Sequence, residues 1–197
     1  MNNLVKKITM SISAVIFGIF TTSSIFAMSP TYPNDAKFSR GVSNAYYYVD
    51  SSASSYTSKI NEAVNNWVDT GYGWNPIYLY PVSSNYATHI DYYVIDYRND
   101  AVLSNINNNA YTTFWDINEL ELAYNVSGEP TSDYYYTEVK ITDYREIDTS
   151  TIIHEMGHCF GLKHSSNLYS IMYPTSSLRM VNRVAKDDHD TINYLYN

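Results

Sequence analysis

The stretch His154-Glu155-Met156-Gly157-His158-Cys159-Phe160-Gly161-Leu162-Lys163-His164 constrains this chain more than any other feature. Its form is H-E-x-x-H-x-x-G-x-x-H. A helix turns by about 100° per residue, so His154 and His158 leave one helix face and can offer two imidazoles to one zinc ion. Glu155 sits one step around, within reach of a water on that metal. The chain must then fold back for His164 to add a third nitrogen, and Gly161 stands where such a turn needs a left-handed residue. Three protein ligands with a fourth position open is the arrangement of a catalytic zinc site, not a structural one. Chance is a poor rival. Five fixed positions, three of them histidine, match somewhere in a chain this long with a probability on the order of 10⁻⁵ at average usage. The chain has five histidines in all, and three of them fall in this pattern.

The surrounding sequence reads as one α+β domain. Ala45 to Val49 is a first strand, and Asp50-Ser51-Ser52 a turn and helix start. Tyr56, Ile60, Ala63, Val64 and Trp67 recur at helical spacing, and Gly71-Tyr72-Gly73 ends that helix. Further strands are predicted over Ile77 to Val82, His89 to Tyr97, Tyr111 to Trp115 and Tyr134 to Ile141, with Glu119 to Tyr124 ambiguous. Asp148 or Thr149 is expected to cap the helix that carries the histidines, from near Thr151 to Gly161. Tyr111 to Trp115 is the candidate sheet edge for an extended peptide. No internal repeat or linker is visible.

Lys6, Lys7 and the apolar run from Ile8 to Phe20 form a targeting segment, with cleavage expected after Ala27. Residues 8–28 carry no charge, so a retained segment would act as a membrane anchor instead. The expected division is a signal peptide over residues 1–27 and a single domain over residues 28–197, long enough for a real core. Lys6 and Lys7 are two of the 12 bases and none of the 20 acids precedes Met28, so the remainder carries a formal charge of −10. That balance argues against nucleic acid and anionic membrane as partners and favours solubility, with cationic substrates a possible match. Cys159 is the only cysteine, which excludes an intrachain disulfide. Its helical bearing points it away from the ligand histidines and into the core. The 22 tyrosines cluster in strand-like contexts, where a ring can pack while its hydroxyl reaches water.

Eight residues beyond His164 stands Met172, within the sequence Ser170-Ile171-Met172-Tyr173-Pro174. Together with the zinc motif it resembles the metzincin metallopeptidases, whose third histidine precedes a methionine-containing turn. Ser165, directly after His164, is similar to the matrixin branch, and so is the stretch from Val184 to Tyr196 with its Asp pair and Leu-Tyr ending. The resemblance implies a metzincin, zincin-like α+β fold: a twisted mixed sheet with two helices, then a small C-terminal subdomain with a Met-turn and a final helix. It implies a secreted zinc endopeptidase with His154, His158 and His164 as metal ligands and Glu155 as general base and acid. Met172 would form an apolar floor, and Tyr173 and Pro174 would line the pocket for the residue after the cleaved bond. Matrixins usually carry Tyr at the position of Ser176, so this pocket wall is altered. One of Asp187 and Asp188 would tie the last helix to the Met-turn. Animal matrixins latch themselves through a propeptide cysteine, which this chain lacks. His89 is too isolated for their second zinc, so one zinc is expected, and no calcium loop of EF type is present although calcium fits an acidic secreted peptidase. The expected partners are protein or peptide substrates, without nucleic acid or stable membrane association after cleavage, and the expected state is a monomer. The competing reading is a secreted surface-binding or toxin-like module on the same scaffold; the intact Glu155 argues against it.

Overall fold

Residues 36–125 and 128–197 are described by a computed structural model of the chain; the expected targeting segment, residues 1–27, lies outside them. Five strands form one sheet: β1 (Ala45–Val49), β2 (Leu79–Val82), β3 (Ile90–Ile95), β4 (Ala110–Trp115) and β5 (Tyr136–Thr142), in the order β2-β1-β3-β5-β4. β1 runs parallel to β2 and β3, and β3 parallel to β5, while β4 is antiparallel to β5 and forms an edge. Side chains alternate across the pleat. Tyr47, Tyr92, Val139 and Phe114 are buried on one face, whereas Tyr46, Tyr48 and Tyr93 are only half-buried.

Two helices enter the same core. The Asp50 carboxylate accepts the Ser52 amide at 2.8 Å, so the predicted start signal is used, but for a 3₁₀ turn over Ser51–Tyr56 that runs on into α1 (Thr57–Val68). Ile60, Ala63, Val64 and Trp67 are buried, as their spacing predicts. Full burial of a side chain such as Ile60 is worth roughly 1.5–3 kcal/mol. The Trp67 indole donates to the Ile153 carbonyl at 2.9 Å, which docks α1 against α2 (Thr149–Cys159). The last helix, α3 (Lys186–Tyr196), is joined to the start of the described chain: Lys37 Nζ donates to the Leu195 carbonyl at 2.9 Å and the Phe38 amide to the Tyr196 hydroxyl at 3.2 Å.

Element boundaries differ from expectation where local bonds intervene. Tyr78 exchanges backbone bonds with Val42 and Ala45 before β2 begins at Leu79. β3 stops at Ile95 because the Asp96 side chain accepts from the Arg98 amide and starts a 3₁₀ turn. Tyr134 bridges to Phe38 rather than joining β5, and the ambiguous 119–124 stretch makes isolated bridges from Glu121 to Trp115 and from Tyr124 to Pro130. Among the described residues no helix is long and apolar enough to cross a membrane.

Candidate metal centre and cleft

Capping fixes both ends of α2. At its start, Asp148 accepts from the Thr151 amide at 2.8 Å and from the hydroxyls of Ser150 and Thr151 at 2.9 Å each. At its end, the Leu162 amide donates to the Gly157 carbonyl at 3.0 Å and the Gly161 amide to the His158 carbonyl at 2.9 Å. This is a Schellman closure, which needs a left-handed residue at Gly161, and Gly161 has φ +89°. A Cβ there would also stand 2.9 Å from the Ala36 carbonyl oxygen. The Tyr134 hydroxyl then takes the Cys159 carbonyl at 2.8 Å and the Tyr196 hydroxyl the Phe160 carbonyl at 3.1 Å. Two carbonyls at the helix end thus find partners without water.

This closure turns the chain so that three imidazoles converge. His158 Nε2 lies 3.1 Å from His154 Nε2 and 3.2 Å from His164 Nε2. His154 Nδ1 is 2.8 Å from the Ile171 carbonyl and His158 Nδ1 is 2.8 Å from the Leu162 carbonyl. A carbonyl oxygen can only accept, so each Nδ1 carries the proton and each Nε2 presents a bare lone pair. Bare nitrogens at this spacing repel one another unless a cation lies among them. The edges of a tetrahedron with zinc–nitrogen bonds of 2.0–2.1 Å are roughly 3.3–3.4 Å long, close to the spacing found. The three histidines therefore fit a metal ion, and they are the group among the described residues that could hold one. Burial lowers the pKa of all three, with the neighbouring imidazoles adding for His154 and His158; His158 falls to about 3. They are neutral near pH 7, the form in which imidazole binds metal.

Glu155 is 6% exposed and shares a cleft of about 740 Å³ with the three histidines. Its Oε2 accepts the Thr112 hydroxyl at 2.9 Å, and that hydroxyl also lies 3.1 Å from the Glu155 carbonyl. Burial pushes the carboxyl up to about 7, while the Thr112 bond and the charge of Arg179 pull the other way. β4 forms the opposite wall. Trp115 and Asn109 turn their carbonyls to the β5 side, and the Phe114 carbonyl accepts from Leu122 on the other side. By strand alternation the backbone of Ala110 and Thr112 faces out of the sheet, into the cleft.

The remaining predicted residues fall into distinct settings. Met172 is fully buried and its sulfur occupies the space beside Gly157, where an added Cβ would lie 2.3 Å from it. Pro174 and Ser176 line the cleft, while Tyr173, also expected there, is not among its lining residues; its carbonyl accepts from Arg179. Asp188 accepts from the Ser170 hydroxyl at 2.5 Å, the Ile171 amide at 3.0 Å and the Ala185 amide at 3.0 Å. α3 thereby holds the segment whose Ile171 carbonyl orients His154. Asp187 does not share in that set. Cys159 is buried, and burial raises its thiol to about 12. His89 is 3% exposed and accepts the Tyr46 amide through Nδ1 at 3.1 Å, a packing role away from the three histidines. Sequence reasoning missed Thr112 and Arg179. Thr112 is one of several residues of a correctly predicted strand, and only period-two alternation anchored on Phe114 could have aimed it inward. Arg179 lies in an irregular segment that no periodicity reads.

A mixed sheet, two helices in its core and three converging imidazoles, two on α2 and one just beyond its closure, make up the candidate metal centre. Residues 131–197 match the Matrixin family of M10 peptidases. A segment of 49 residues is 51% identical to Metalloendoproteinase 1 of Glycine max, covering 24% of this chain and 16% of that protein. The chain thus spans a small fraction of this relative's length. Over its C-terminal third it is matrixin-like, in agreement with the resemblance carried by its zinc motif.

Proposed function

We propose that this protein is a secreted zinc endopeptidase. In this reading residues 28–197 form the catalytic domain after removal of residues 1–27. His154, His158 and His164 hold the metal, and Glu155 is the general base and then the general acid. The observation that carries the proposal is the pair of Nε2 atoms, of His154 and His164, within 3.2 Å of His158 Nε2, with the Nδ1 atoms of His154 and His158 tied to carbonyls, beside a buried carboxylate in one cleft. Zinc, when bound, supplies Lewis acidity: it acidifies water and polarises the scissile carbonyl.

The chain's own residues do the rest. The outward backbone of Ala110 and Thr112 offers a free edge on which an extended peptide can lie as an added strand. Thr112 holds one oxygen of Glu155, so the carboxylate keeps one orientation toward the cleft. Glu155 accepts a proton from the attacking water and passes it to the leaving amine. Met172 fills the space beneath the ligand helix as the apolar floor of a Met-turn, not as a ligand. Pro174 forms part of the wall beyond the cleaved bond.

Elemental analysis of purified protein, combined with digestion of a protein substrate with and without chelator, tests this directly. Replacement Glu155→Ala is expected to retain zinc while turnover falls by about 10²–10⁴-fold. A zinc-loaded protein that cleaves nothing, yet binds surfaces or partners, would transfer the assignment to the binding-module reading.

A further inference from the structure

The cleft contains a guanidinium to which neither the metal nor the proton transfer assigns a contact. Arg179 lines it together with Pro174, Thr175, Ser176 and Ser177, on the segment that follows Met172. Its guanidinium is fixed in place. Nε and Nη2 donate to the Tyr173 carbonyl at 3.1 and 2.9 Å, and Nη1 donates to the Ser150 carbonyl at 3.0 Å. These acceptors are neutral. Among the described residues no carboxylate lies within ion-pair distance of Arg179; the recorded pairs involve Lys59, Arg98, Lys140, Lys163 and Lys186. A guanidinium has five N–H donors in a rigid fork. Two carbonyls do not exhaust them, and the carboxylates that act on its charge, Asp148, Glu155 and Asp188, do so through space rather than by an ion pair. The other cation lining the cleft is Arg145, while Glu129 in the same wall is already engaged by Lys163 at 3.4 Å. The charged residues of the cleft wall, Arg145 and Arg179 against Glu129 and Glu155, balance in number, in contrast to a chain whose formal charge is −8. At contact range, inside a Debye length of about 8–10 Å, the nearby guanidinium governs.

We infer that Arg179 is a specificity-determining residue whose guanidinium receives an acidic substrate side chain, Asp or Glu, at the position just after the cleaved bond. The inference rests on the peptidase reading above. Its physical basis is the strength of a charge-assisted, fork-shaped bond to a carboxylate in a partly buried wall, a wall that Ser176 and Ser177 also line. The rival explanation is a latch: Arg179 joins the Tyr173 carbonyl to the start of α2 and serves only to hold that loop.

Binding and cleavage measured on the same peptide set separate these. Zinc-loaded Glu155→Ala protein is titrated with peptides that differ only in Glu, Gln or Leu after the scissile bond. The Glu peptide is expected to bind about tenfold more tightly than the Gln peptide, with the advantage shrinking at high salt. Adding Arg179→Gln should erase the preference, and Arg179→Lys should retain part of it. In the active protein the ratio of kcat/KM for Glu over Leu peptides should fall by at least about tenfold in Arg179→Gln. Equal affinity for the three peptides, or losses in Arg179→Gln that are uniform across them, would leave only the latch and overturn the inference. Should the unmodified protein cleave nothing while the preference in binding persists, the peptidase reading fails and the anion site stands. Cleavage without any charge preference sinks the anion site alone.

Discussion

Glu155 depends on a partner that the zinc motif does not contain. A carboxylate has two oxygens and rotates freely about its last bond, so a motif can bring it near a metal without aiming it. Thr112, from the edge strand, supplies the aim by donating to Oε2 at 2.9 Å. The replacement Thr112→Val keeps the shape and deletes the donor. We expect kcat to fall by about tenfold with KM nearly unchanged, because the bond matters while the proton is moving and not while the peptide docks. Thr112→Ser should restore most of the rate. A Val variant that lost affinity and rate together, or that Ser failed to rescue, would mark Thr112 as a packing residue. Arg179 makes the complementary point: its acceptors are backbone carbonyls, and no residue-type pattern in the sequence anticipates such a contact.

Between α1, α2 and the segment after Ser170 the fit is close at Gly157. A Cβ there would meet the Met172 sulfur at 2.3 Å and the Trp67 ring at 3.1 Å. Gly157→Ala is therefore expected to destabilise the zinc-loaded protein by about 1–3 kcal/mol in urea denaturation, as overpacked cores do. The space freed by Met172→Ala should accept the new methyl, so the double variant should cost about 1 kcal/mol less than the two singles together. Strict additivity would mean that the two residues do not share that space. This packing explains what the sequence disclosed about the elements. The helix spacing of Ile60, Ala63, Val64 and Trp67, the Asp148 cap and the left-handed Gly161 are local signals, and they appear as read. Strand ends were less legible because distant bonds set them: Tyr134 is taken by Phe38 and Tyr78 by Val42. The ligand trio could be read because one helix and its closure fix it. Of the cleft wall, the β4 edge and Pro174 were anticipated but Thr112 and Arg179 were not, since β4 and the 174–179 segment meet α2 only in three dimensions.

Across the whole molecule, His89 and Asp91 give the sheet two buried titrations that oppose each other. Burial, reinforced by the charge of Arg40, lowers His89 to about 4 from an ordinary 6.5, and its Nδ1 must stay unprotonated to accept the Tyr46 amide. Burial raises Asp91 to about 6 from 3.8, helped by Glu138, its neighbour in register on β5, and resisted by the Thr88 hydroxyl at 2.5 Å. Between pH 4 and 6 the unfolded chain holds a proton on His89 that the folded chain lacks, so this group makes stability rise with pH. Over the same window the folded chain holds a proton on Asp91 that the unfolded chain has lost, so stability falls with pH. The two slopes offset in the natural protein. Asp91→Asn can keep the Thr88 bond while removing the second titration. In chelator, its stability should climb by up to about 2 kcal/mol more between pH 4.5 and 6.5 than that of the unchanged protein. The three ligand histidines titrate alike in both proteins, so the difference between the two urea-midpoint profiles isolates Asp91. Parallel profiles would mean that Asp91 is already ionised in the fold, with its charge offset by Lys140, which pairs with the adjacent Glu138 at 3.4 Å.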